Sequence, residues 1–87
     1  MTPEQAFEDA QKRVKTLPQS PDTSTLLELY ALFKQGTTGD AGGGRPGMLD
    51  IKGRAKYDAW AGKKGMSQGE AMEAYVALVD TLQAGQG

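Results

Sequence analysis

Residues Leu26 to Trp60 read LLELYALFKQGTTGDAGGGRPGMLDIKGRAKYDAW: two helical patterns separated by a glycine-rich loop. On the first helix Tyr30 and Lys34 lie four residues apart and share a face. Lys52 and Lys56 repeat that spacing on the second. None of these three lysines has an acidic residue three or four positions away on its own helix. Lys52 and Lys56 instead face each other, which costs an isolated helix roughly 0.2–0.5 kcal/mol. A cationic face without counter-ions of its own, beside a tyrosine, suits an anion that carries a flat ring.

The outer segments supply two more helices. Thr2, Pro3 and Gln5 form a helix start with a capping-box pattern. Phe7, Ala10, Val14 and Leu17 then give one apolar stripe, and Pro18 closes it. Glu8–Lys12 and Asp9–Arg13 are spaced as surface pairs, whereas Lys15 has no such partner. Ser20-Pro21-Asp22 repeats the start signal as cap, proline and first-turn acid. Leu26, Leu27, Leu29, Tyr30, Leu32 and Phe33 make the second helix apolar on more than one face, so several neighbours should contact it. Asp50 caps the third helix, with Ile51, Ala55 and Ala59 toward the inside and Arg54 pairing with Asp58 outside. Lys63 and Lys64 suit its C-terminus. Ser67 and Glu70 form a second capping box, followed by an amphipathic helix through Leu82. The spacing predicts helices over about 3–16, 21–36, 50–62 and 67–84, with no strand, repeat or second domain.

Composition narrows the functions. The chain has 87 residues, enough for one small domain spanning 1–87. It lacks cysteine and histidine, which removes disulfides, the usual zinc ligands and the commonest general base. No apolar run approaches the roughly 20 residues of a membrane span, and the first residues do not read as a signal peptide. A cytoplasmic protein without stable membrane insertion is expected. Ten basic residues oppose eleven acidic ones, which argues against nucleic-acid binding. Between Arg45 and Lys64, however, six basic residues face only Asp50 and Asp58. That local excess favours a discrete anionic ligand. The loop from Thr37 to Leu49 does not contain the phosphate-loop pattern G-x-x-x-x-G-K-[ST]. No serine or threonine has a base to activate it, so catalysis is not expected. Tyr30, Phe33, Tyr57, Trp60 and Tyr75 read as core aromatics, with Tyr30 and Tyr75 turning a polar edge toward a ligand.

The residues also carry a resemblance. Tyr30-x-x-Phe33-Lys34-Gln35, Thr37-x-Gly39-Asp40, Arg45-Pro46-Gly47-Met48-Leu49-Asp50, Lys52-Gly53-x-Ala55-Lys56-x-Asp58-Ala59-Trp60 and Ala71-Met72-x-Ala74-Tyr75 together resemble the acyl-CoA-binding protein family. The likeness covers essentially the whole chain. It implies an all-α, up-down-down-up four-helix bundle that holds fatty acyl-CoA, with no cofactor and no metal. It also implies a non-catalytic carrier of medium- to long-chain esters, monomeric when unliganded. By position, Tyr30 and Phe33 would pack at the adenine, with Ala31 and Leu32 among the ligand-binding residues. Lys34 and Lys56 would neutralise the ribose 3′-phosphate with Lys52 alongside, Lys15 would approach the phosphates, and Tyr75 would touch the ligand from the last helix. Phe33 stands where the family commonly has tyrosine, Tyr57 where it has tryptophan, and Gly36 where it has alanine. The segment Pro18-Gln-Ser20 lacks a lysine often found nearby. The alternative reading is a small helical protein-interaction module without a ligand.

Overall fold

A computed structural model describes residues 1–86. It contains four helices, α1 (Pro3–Val14), α2 (Thr23–Thr37), α3 (Ile51–Ala61) and α4 (Gln68–Gln86), and no strand among the described residues. Both capping boxes form. The Thr2 hydroxyl accepts from the Gln5 amide while the Gln5 side chain accepts from the Thr2 amide. Ser67 and Glu70 do the same at the start of α4, with both bonds at 3.0 Å. The backbone bond to the Ser67 amide is the main reason that the Glu70 carboxyl titrates below its ordinary range.

Two helix starts differ in detail from the sequence reading. Asp22, not Ser20, caps α2: its carboxylate accepts from the Thr25 amide at 2.8 Å, and Pro21 stays outside the helix. At the other end of the same linker, α1 stops at Val14, and Lys15 and Thr16 continue as turns bonded to Lys12 and Arg13 carbonyls. The result is a longer connection between α1 and α2. Asp50 caps α3 as expected, through the Gly53 amide. A Cβ at Gly53 would collide with that carboxylate as it is placed, so any other residue there would make the Asp50 side chain shift.

The helix directions follow from side-chain pairings. Along α1 and α4, Phe7 meets Tyr75 and Arg13 meets Asp80, so the two run parallel. Gly36 approaches Met72 and Thr37 receives a bond from Gln68, near the start of α4, so α2 runs against it. Tyr30 lies against Lys56 and Trp60 against Lys34, so α2 and α3 are parallel. The bundle is therefore up-down-down-up. The core is Phe7, Ala10, Leu29, Leu32, Tyr75 and Val79. Phe7 stands edge-on to Tyr75, with centroids 5.1 Å apart, and reaches Phe33 at 6.1 Å.

α2 packs on α3 and α4, and α4 also packs on α1, whereas α1 and α2 make no close backbone approach. The apolar excess of α2 is thus explained by two packed faces and a third that opens on cavities. α3 departs from expectation. It has no buried residue, and Ile51 is 77% exposed rather than inward. With α2 as its one packing partner, α3 has no second neighbour to cover that end. Asp58 likewise pairs with Arg45 at 2.6 Å, not with Arg54.

Candidate ligand-binding site

Two cavities meet along α2. The first, of about 460 Å³, lies between the end of α1, the 15–21 linker and α2; Val14, Leu17, Leu26, Leu29, Phe33 and Tyr75 supply its apolar walls. The second, of about 400 Å³, is a groove between α2 and α3 lined by Leu26, Leu27, Tyr30, Lys52, Ala55 and Lys56. Leu26 and Tyr30 border both, so the two lie side by side along one edge of α2. Lys15 stands at the first cavity, and Lys52 and Lys56 at the second.

The lysines are held without being neutralised. Lys34, on α2, places its Nζ 4.8 Å from the Trp60 ring centroid on α3, and Lys56, on α3, places its Nζ 5.4 Å from Tyr30 on α2. Lys15, Lys34, Lys52 and Lys56 have no carboxylate within 4.0 Å among the described residues, whereas Arg13, Arg45 and Lys63 do. A ring face attracts a cation but leaves its N–H donors for an anion. Lys63 departs from its expected place at a helix C-terminus in one respect: it crosses to Glu28 on α2 at 2.7 Å.

The loop between α2 and α3 is pinned back at several points. Trp60 Nε1 donates to the Gly39 carbonyl at 2.7 Å, and Arg45 makes a two-pronged bond to Asp58 that also holds the Asp58 carboxyl below its usual range. Asp40 Oδ1 accepts from the Gly65 amide and from Gln35 Nε2, which also donates to the Met66 carbonyl. Those bonds lower the Asp40 pKa, the Gly65 amide having the larger effect. Gln35 is fully buried, so it joins α2, the loop and the α3–α4 connection from inside.

The structure brings Lys15, Tyr30, Phe33 and Tyr75 to the first cavity, and Tyr30, Lys52 and Lys56 to the second. Lys34 lines neither cavity and lies over Trp60. Tyr75 is largely buried, and burial pushes its phenol pKa up. Ala31 and Leu32 are 0% and 3% exposed and line neither cavity. From the sequence, Leu26, Leu27, Leu29, Leu32 and Phe33 cannot all face one neighbouring helix, so some should border a groove, and Leu26, Leu29 and Phe33 line the first cavity. Sequence reasoning missed the 19–21 linker as a wall and Trp60 as the platform for Lys34.

A family model described as "Acyl CoA binding protein" matches residues 4–79. This chain belongs to the acyl-CoA-binding protein family. Acyl-CoA-binding protein homolog 1 of Caenorhabditis elegans is 55% identical over 82 residues, covering 94% of this chain and 95% of that one. The Saccharomyces cerevisiae acyl-CoA-binding protein is 50% identical over 80 residues, covering 92% of each. Among solved structures, Oryza sativa acyl-CoA-binding protein 2 superposes with a TM-score of 0.92 at 38% identity, covering 97% of this chain and 93% of that one. The likeness bears out the all-α bundle of the acyl-CoA-binding protein family. No helix among the described residues is long and apolar enough to cross a membrane.

Proposed function

We propose that this protein binds medium- to long-chain fatty acyl-CoA esters without catalysis, buffering and carrying them as a cytoplasmic, single-domain protein that is monomeric when unliganded. The observation that carries the reading is an apolar cavity side by side with a groove rimmed by unpaired lysines, Leu26 and Tyr30 lining both. An amphiphile with a polyanionic, ring-bearing head and an apolar tail matches both halves. Family membership supports the same ligand and does not favour the alternative of an interaction module without one. Tyr30 and Phe33 receive the adenine, Lys34 and Lys56 the 3′-phosphate with Lys52 alongside, Lys15 the remaining phosphates, and Tyr75 meets the ligand from α4. The absence of histidine, the commonest general base, supports a binding role.

Calorimetric titration tests the reading with palmitoyl-CoA, free CoA and free palmitate. Each methylene that enters an apolar cavity contributes up to about 0.8 kcal/mol. Palmitoyl-CoA should therefore bind orders of magnitude more tightly than free CoA, and palmitate poorly because it lacks the headgroup. Equal affinity for CoA and palmitoyl-CoA would sink the carrier reading.

A further inference from the structure

Three large apolar side chains are left almost wholly in water: Met48, Leu49 and Ile51, at 82%, 98% and 77% exposed. They flank Asp50 at the tip where the long loop enters α3. A single exposed leucine needs no explanation, but a contiguous group does. The backbone that carries them is ordered. The Asp50 amide donates to the Gly47 carbonyl at 3.0 Å, the Asp50 carboxylate caps α3, and Arg45 clamps the upstream loop to Asp58. The fold thus presents an apolar tip that nothing in the bundle covers.

We propose that this tip docks on a lipid bilayer bearing anionic headgroups. Charge complementarity favours that occupant. Lys52 follows the tip directly and is exposed and unpaired, with Lys56 one turn further along the groove. Asp22 and Asp50, at the starts of α2 and α3, are engaged at helix N-termini, where the macrodipole offsets their charge, and Asp80 toward the end of α4 is paired with Arg13. Shape points the same way. The protruding side chains have no walls around them, and a fluid interface closes over such groups without supplying a matching pocket. Because α2 and α3 run parallel, Leu26, which is 46% exposed, lies beside Lys52 at the same end. A docked tip would therefore bring the mouth of the groove to the level of the bilayer where an acyl chain emerges. That consequence rests on the carrier reading; the docking itself does not.

The test uses the ligand-free protein in flotation with vesicles of phosphatidylcholine alone and of phosphatidylcholine mixed with phosphatidylserine, at low and high salt. The unmodified protein should float with the mixed vesicles at low salt and much less at high salt. A combined Met48→Ser, Leu49→Ser and Ile51→Ser variant should lose binding by about tenfold or more. Its melting temperature and its affinity for palmitoyl-CoA in solution should be unchanged, which separates lost docking from lost folding. Equal vesicle binding by the variant, or none by the unmodified protein, overturns the proposal. Equal binding to phosphatidylcholine alone overturns the choice of anionic headgroups. Vesicle binding by a protein that fails to bind palmitoyl-CoA would sink the carrier reading and leave the docking surface standing.

Discussion

Lys34 and Lys56 each lie over a ring carried by the other's helix, a reciprocal arrangement that crosses the α2–α3 boundary. Such a contact is worth about 0.5–1 kcal/mol at an exposed site, enough to bias a side chain but not to satisfy its charge. Lys34→Ala should weaken palmitoyl-CoA binding by about 1.5–3 kcal/mol, the range for hydrogen bonds to charged groups. The loss should be much smaller for the ester of dephospho-CoA; equal losses in calorimetry would place the lysine elsewhere than at the 3′-phosphate. Gly36 allows a second prediction at this scale. A Cβ there would meet Met72 Cγ and Phe7 Cζ at 3.3 Å each, tight but against a flexible thioether and a ring edge. Alanine gains about 0.8–1.0 kcal/mol of helix propensity over glycine. If both neighbours yield by a few tenths of an ångström, Gly36→Ala should raise the melting temperature by several degrees. A lower melting temperature would show that Phe7, held between Phe33 and Tyr75, cannot move.

At the scale of the element, α2 and α3 are opposites. α2 supplies Leu29 and Leu32 to the core and keeps Leu26 partly exposed where the two cavities meet. Leu26→Ser should therefore change the melting temperature little, yet weaken palmitoyl-CoA binding far more than free CoA binding. Equal weakening of both ligands would take Leu26 off the path of the acyl chain. α3 buries nothing and is held by α2, the Trp60 and Arg45 clamps on the loop, and Lys63 reaching Glu28. Few buried apolar contacts mean a low local opening free energy. Amides of α3 should exchange faster than those at the centre of α4, where Ala71, Tyr75 and Val79 are buried.

For the whole molecule, pH acts through carboxylates engaged in the fold. Asp22, Asp40, Asp58 and Glu70 all have folded pKa values below their ordinary ones, so the unfolded chain takes up their protons first. Their contribution is present above about pH 4–5 and is lost as pH falls through the lower folded values. Asp40 is the long-range member, since it joins the end of α2 to the segment before α4. Asp40→Asn keeps an acceptor but loses the charge. Urea unfolding at a series of pH values should show the variant less stable at neutral pH, with the difference shrinking in acid. A constant difference at every pH would mean that the charge on Asp40 contributes nothing.

What local chemistry controls was legible in the chain itself. Proline, caps and apolar spacing act within a few residues, so the helices, both capping boxes and the Asp50 cap could be read directly. The unpaired lysines were legible for the same reason, because i, i+4 spacing decides which charges can meet on one helix. Partners distant in sequence belonged to the tertiary structure alone: Lys63 with Glu28, Asp58 with Arg45, Asp40 with Gly65, Lys34 over Trp60. So did the turning of Ala31 and Leu32 inward and of Ile51 outward, since burial depends on which helices arrive to cover a face. The site lies in that second class. Its lysines and tyrosines are marked by local spacing, but the first cavity exists only because α1 and α2 pack on α4 without closing on each other, and the second only because α3 comes to lie along α2.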